Sequence, residues 1–394
     1  MLSLEERELE PNLSYDPVIF KEKFKRKLEQ GVRQPLGGDT FASDSCRGLL
    51  SAMEENPAFL ELFSEAQRLK GPSSSTELAN LATVHAVNYI MTFSAGIPNY
   101  PTAMKLTDAT SWKEKVYSLL QGPYSDEYFR LLVEKHANTN IPNRGAHLPF
   151  LFHTAFPGQR VKVCDAGASG NGILGKLAYN GYGADAPYLI QSDTTAANGL
   201  DGIIRHYANK KVDFWGVGFD ISDMHGSPEL ENWFIANEYI KNMNDPFLAG
   251  KRSRMNLYRK APNVHFFQGD MTQPHFGKGM LDYINYSSTL YELTKDERTI
   301  ALDHGFEATS GHQGLVGVAD RIVVEDGELV FTKERGKGSY GLALNGERTG
   351  GRWINPIRMA DSTCEVYVPG PDWAEYLRLF PPQLECCQQA SDQV

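Results

Sequence analysis

The chain has 394 residues, 41% hydrophobic and 22% charged, with a formal net charge of −10. This describes a globular protein with room for about two domains at ~150 residues each, and the lack of any basic run beyond Lys21–Lys27 argues against a nucleic-acid partner. No stretch nears the ~18 continuous apolar residues of a membrane span, and the charged start Met1-Leu-Ser-Leu-Glu-Glu-Arg7 lacks a signal-peptide core, so a cytoplasmic protein away from membranes is expected.

Residues 1–150 read as helical. Phe20, Phe24 and Leu28 recur every four residues on an otherwise charged segment. Leu60, Phe63 and Ala66 form part of a second stripe. After Gly71-Pro-Ser-Ser-Ser75, the pair Ser74 and Glu77 has capping-box spacing ahead of Leu78, Leu81, Val84, Val87 and Met91. Tyr128-Phe-Arg-Leu-Leu-Val133 suggests another helix, and no useful strand alternation precedes residue 160. The run His136-Ala-Asn138-Thr-Asn140-Ile-Pro-Asn143-Arg144 is dense in amides. It suits either a capped loop or a lid with Asn140, Asn143 and Arg144 facing a site.

From Val161 the pattern changes to strands alternating with helices. Val161-Lys-Val-Cys-Asp165 leads into Gly167-Ala168-Ser169-Gly170-Asn-Gly172, and Ile173-Leu174-Gly-Lys-Leu177-Ala follows as a helix face. Strand, glycine turn and helix in this order make a nucleotide-type pocket at the strand's carboxyl end. The glycines read G-x-x-G-x-G, which is not the dinucleotide spacing. The acid ahead of them suits the sulfonium and ammonium of S-adenosylmethionine (SAM) better than a pyrophosphate. Two further strands, Phe214–Asp220 and Val264–Asp270, also end in acids. Asp220, followed by Ile221, could accept both ribose hydroxyls, and Asp270 the adenine amine with Met271 packed on the ring. Asp193, after Tyr188-Leu-Ile-Gln-Ser, is an alternative end for the second strand. Leu281–Tyr286, Gly314–Asp320 and Arg321–Glu325 read as further strands, with Gly341–Asn345 and Cys364–Val368 as an antiparallel edge. The five cysteines are scattered without zinc spacing, so no metal is expected.

The segment from Val161 to about Leu293 resembles the core of class I SAM-dependent methyltransferases, matching their acidic glycine loop at Asp165 and Gly167 and departing at Ser169. The Asn-Pro-Pro-Tyr signature of many nucleic-acid N-methyltransferases is replaced by Asn285-Tyr286-Ser287-Ser288. Ser45-Cys-Arg-Gly48, Thr139-Asn140-Ile-Pro-Asn143-Arg144, Ala166-Gly-Ala-Ser-Gly170 and Gly218-Phe-Asp220 together resemble a largely uncharacterised bacterial family. Its members carry a T-N-E-x-x-R element and a G-A-S-A-G-L-N loop. Here Ile141 stands in place of that glutamate, and the loop departs at Asn171-Gly172. The chain is also similar to bacterial SAM cyclases that form azetidine-2-carboxylate and methylthioadenosine.

These resemblances imply a Rossmann-like α/β fold with a largely parallel sheet, an antiparallel edge and an N-terminal helical cap. The division is 1–150 as a substrate-enclosing cap, 151–380 as the SAM-binding domain and 381–394 as a tail. The cofactor-binding set is Asp165, Gly167, Ala168, Ser169, Gly170, Gly172, Asp220, Ile221, Asp270 and Met271. The catalytic candidates are Asn140, Asn143, Arg144, Tyr179 and Tyr286, with Tyr291 as a further aromatic near the substrate. Three activities stay open: methyl transfer to a small molecule, SAM cyclisation, and SAM binding without catalysis. The oligomeric state is open as well.

Overall fold

The computed structural model describes residues 15–33, 40–71, 75–97, 108–135, 142–168, 171–180, 182, 204, 206–208, 210–221, 227–236, 257–290, 293–311, 313–332, 340–359 and 367–382. The chain forms two compact units: Met1–Thr139 with Ile235–Arg252, and Asn140–Phe234 with Ser253–Val394.

The first unit is helical. Helix α1 (Pro17–Arg33) buries Phe20, Phe24 and Leu28 as its spacing predicts. Phe24 meets Phe63 of α3 (Ala58–Lys70) with ring centres 5.1 Å apart. Helix α2 (Thr40–Glu55) lies between them in sequence. Helix α4 (Ser75–Asn80) runs into a π-helical turn, Leu81–His85, then α5 (Ala86–Tyr89) and a second π turn, Ile90–Ser94. Each π turn advances the chain by an extra residue and so rotates the apolar face. Leu78, Leu81, Val87 and Met91 stay buried, while Val84 is only half-buried. Ser74, the expected cap, lies outside the described residues. Helix α6 (Ala109–Gln121) opens on a capping box between Asp108 and Ser111. Helix α7 (Ser125–Glu134) contains the predicted segment 128–133.

The second unit is built on one sheet. Strands β1 (Val161–Ala166), β2 (Phe214–Asp220), β3 (Val264–Gln268), β4 (Tyr283–Ser287) and β5 (Leu315–Glu325) are followed by β6 (Glu328–Phe331), β7 (Tyr340–Gly346), β8 (Ile354–Met359) and β9 (Tyr367–Pro369). Their order is β3-β2-β1-β4-β5-β7-β8-β9, with β6 paired to β5. The first five are parallel, and β7, β8 and β9 pair antiparallel. This is the expected Rossmann-like α/β fold with its antiparallel edge. The order 3-2-1-4-5 reverses between β1 and β4, which makes their carboxyl ends the topological switch point where open α/β sheets bind ligands.

Both sheet faces are covered, as the apolar runs of a parallel sheet require. On one face Val163, Tyr283, Leu315 and Leu344 pack with Phe152 of α8 (Leu148–Ala155), Leu174 of α9 (Gly172–Ala178) and Tyr376 of α12 (Trp373–Leu379). On the other, Cys164, Ile284, Tyr286, Val316 and Val318 pack with Ala301 and Ala308 of α11 (Lys295–Thr309). Helix α10 (Pro228–Ala236) ends in the segment counted with the helical unit.

Three predicted strand limits change. The expected strands Gly314–Asp320 and Arg321–Glu325 are one, Leu315–Glu325, because β5 runs past the sheet into a hairpin with β6. Strand β3 stops at Gln268, so Asp270 lies two residues beyond it. The expected strand at Cys364–Val368 is described only from Tyr367.

Candidate active site

Asp165 is the centre of the site. Its strand β1 is flanked by β2 and β4, and its Cα partners are Gly218 and Asn285. The carboxyl is 1% exposed. One oxygen, Oδ1, accepts from Asn285 Nδ2 at 2.8 Å. Tyr283 donates to Asn285 Oδ1 at 3.4 Å, which orients the amide so that its NH₂ faces Asp165. The other oxygen, Oδ2, is buried with no hydrogen-bond partner. Burial pushes the Asp165 pKa up to about 7, the Asn285 hydrogen bond opposes that shift, and the charge of Asp220 adds to it. An open, buried carboxyl oxygen at a switch point is costly unless a cation or donor completes it.

The turn after β1 is held by the neighbouring strands. Gly167 has φ +75°, and its N–H and that of Ala168 both donate to the Phe219 carbonyl, at 2.9 and 3.0 Å. A Cβ on Gly167 would lie 2.1 Å from Thr289, so the loops after β1 and β4 meet closely. Asn171 is left-handed at φ 64° and caps α9, its Nδ2 donating to the His265 carbonyl at 3.1 Å. Gly218 makes this possible, since a Cβ there would fall 1.8 Å from Asn171 Oδ1. Gly172 opens α9. Ser169 and Gly170 lie outside the described residues.

Asp220 ends β2, as one of the two sequence readings has it; Asp193 lies outside the described residues. Beside Asp220, Ile221 is 69% exposed and offers apolar surface. Asp270 is exposed, and its Oδ1 accepts from both the backbone N–H and the hydroxyl of Thr272 at 2.8 Å, closing a turn. Met271 is half-buried against the core on the α11 side.

The catalytic candidates fare differently. Arg144 stands in a 3₁₀ turn, Pro142–Gly145, that packs against Ile173 of α9, and its guanidinium lies 5.9 Å from the ring centre of Tyr340. The side chain of Asn143 and the whole of Asn140 are outside the described residues, as is Tyr291. Tyr179 caps the carboxyl end of α9, 41% exposed and beside Tyr258, at the opposite end of the helix from the glycine turn. Tyr286 requires a correction. It is 1% exposed, and its hydroxyl donates to the Ala301 carbonyl of α11 at 2.6 Å. Side chains alternate across a strand, so Asn285 on the site face turns Tyr286 into the opposite core. There it is a packing residue.

Sequence reasoning missed Asn285, Asn171, Ser287 and Ser288. The Ser287 and Ser288 hydroxyls are buried without partners at the end of β4, and Ser288 has φ 55°. The available signal was a run of polar residues, Asn285, Ser287 and Ser288, closing an otherwise apolar strand; only strand register says that Asn285 faces Asp165.

No protein-family model matches the chain, and no curated protein does. Similar solved structures include a TehB-like SAM-dependent methyltransferase from Corynebacterium glutamicum. It is 15% identical at a TM-score of 0.27, over 60% of this chain and 96% of that one. SAM-bound CalS10, an amino pentose methyltransferase from Micromonospora echinaspora, is 14% identical at a TM-score of 0.24, over 52% and 64%. The [4+2]-cyclase SpnF is 14% identical at a TM-score of 0.26, over 47% of this chain and 46% of its own, so the match spans about half of that protein. Likeness at this level carries no argument about activity. No helix among the described residues is long and apolar enough to cross a membrane.

Proposed function

We propose that the protein is a SAM-dependent enzyme acting on a small molecule, with methyl transfer as its reaction. The observation that carries this reading is the open, buried Oδ2 of Asp165 at the switch point. A carboxyl in that state fits the ammonium of SAM, which would satisfy its empty oxygen and compensate its charge. Asp220 at the next strand end suits a pair of ribose hydroxyls, and exposed Ile221 an adenine face. Bound SAM supplies a methyl group made electrophilic by its sulfonium. Positioning and exclusion of water then carry most of the rate.

Within the described residues the chain contributes a fixed carboxyl, oriented through Tyr283 and Asn285, and a glycine turn whose amides are tied to β2. The turn's N–H groups at Gly167 and Ala168 are spent on Phe219, so the side chain of Asp165 is the principal recognition group there. Calorimetric titration with SAM tests the binding reading, and Asp165→Ala is expected to weaken binding by at least about tenfold. Wild-type protein that takes up no SAM would overturn it. Incubation with SAM alone, read by mass spectrometry, separates the chemistries. Intact SAM fits methyl transfer, which needs an acceptor, and released methylthioadenosine would replace that reading with the cyclase.

A further inference from the structure

The carboxyl end of β4, the later part of β5 and the amino end of the antiparallel β7 carry a group of side chains that SAM, as placed above, leaves unused. Arg321 of β5 and Tyr340 of β7 are directly paired across the antiparallel ladder. The Arg321 guanidinium lies 5.4 Å from the Tyr340 ring centre, and that of Arg144 lies 5.9 Å from the same ring. Two guanidiniums thus converge on one aromatic side chain in a protein whose net charge is −10. Each guanidinium carries a full positive charge, so an anion beside the ring is attracted by both. Arg321 makes no ion pair with any described residue. The neighbouring acid, Asp320, is fully buried, and its Oδ1 accepts the Arg321 backbone N–H. Strand alternation sends its side chain to the other face of the sheet. At the end of β4 and just past it, between this cluster and Asp165, stand the buried hydroxyls of Ser287 and Ser288, both without partners.

We propose that the acceptor molecule carries an oxyanion, a carboxylate or a phosphate, held by Arg144 and Arg321 beside Tyr340. This rests on the reading of the Asp165 side as the SAM site. Guanidinium forks match the planar or tetrahedral oxygens of such groups and bind them bidentately. SAM's own carboxylate is the competing occupant. With the ribose on β2, three inter-strand steps of ~4.8 Å separate it from β5, the strand of Arg321, and the SAM affinity of the Arg321 variants decides between the two occupants. The acceptor would then lie over β4 and β5, with its reacting atom toward β1 and its anionic end toward β7.

The test uses the full-length chain, titrated calorimetrically at constant ionic strength with acetate and, separately, with inorganic phosphate. Wild type, Arg321→Met and Arg321→Lys are compared, and SAM affinity is measured in parallel on each. Arg321 is exposed, so the variants should fold, and near-ultraviolet circular dichroism checks that they do. The expected result is saturable binding of at least one of the two anions, weakened about tenfold or more by Arg321→Met and less by Arg321→Lys, with SAM affinity unchanged within about twofold. The arm that saturates distinguishes a carboxylate from a phosphate acceptor. Absence of saturable binding, or equal binding by Arg321→Met, would overturn the proposal. So would a tenfold loss of SAM affinity in that variant, which would give the arginine to SAM's carboxylate. Failure of the wild type to bind SAM sinks the SAM reading alone, since the anion titrations still report on the arginine pair.

Discussion

At the scale of single residues, Asp165 is stabilised as a neutral acid by the fold that buries it. Its pKa rises from 3.8 to about 7, so the folded chain keeps a proton that the unfolded chain releases. That difference favours the fold below the unfolded pKa and is lost as pH rises through 7. Asp165→Asn keeps an acceptor for Asn285 and removes the titration. Its melting temperature is expected to match wild type near pH 4 and to exceed it by roughly 5 °C at pH 8. An offset equal at both pH values would refute this account of the carboxyl. The same group makes SAM binding depend on pH, because a cation favours the carboxylate. Affinity should therefore fall as pH drops below about 7, approaching tenfold per unit, and Asp165→Asn should flatten that slope. Isothermal titrations between pH 5.5 and 8 on the order of half a unit apart would read it directly.

At the scale of elements, the site depends on how closely the turn after β1 can approach β2 and β4. Gly218→Val places carbon where Asn171 Oδ1 stands, so it should displace the turn as well as strain the strand. The expected cost is about 1–3 kcal/mol of stability, together with loss of SAM binding. A variant with wild-type affinity would show that the turn adapts. Tyr286→Phe supplies the contrast. It removes a hydroxyl that donates to Ala301, costing on the order of 1 kcal/mol in chemical denaturation while leaving SAM affinity unchanged. A selective loss of turnover in that variant would restore Tyr286 to the active site and contradict its buried placement. Much at this scale was legible beforehand. Phe20, Phe24 and Leu28 mark α1, and Val161–Asp165 mark β1, because burial on one face writes a period into the sequence. Less legible were the two π turns, since a rotated apolar face leaves no regular spacing. The single long β5 was read as two strands because Asp320, buried in its middle, looks like a strand end.

For the whole molecule, each compact unit buries its own aromatic and aliphatic side chains, among them Phe24 and Phe63 in the helical unit and Tyr283 and Leu315 in the α/β unit. All described groups assigned to SAM lie in the α/β unit. Ligand binding stabilises only what folds to form its site, so SAM at ~100 times its Kd should raise that unit's unfolding free energy by about 2.7 kcal/mol. Scanning calorimetry is expected to show the upward shift with the α/β transition, and a shift confined to the helical unit would place the site elsewhere.

The sequence by itself determined the class of fold, the glycine turn and the acids of the first two strand ends, because these follow from local pattern and from residue types that only a few conformations tolerate. Tertiary structure alone decided which side chains share a face. Strand register set Asn285 beside Asp165 and turned Tyr286 away, and the return of β7 alongside β5 brought Tyr340 under two arginines far apart in the chain. Those neighbours come from strands distant in sequence, and side-chain alternation assigns a face only after pairing is fixed.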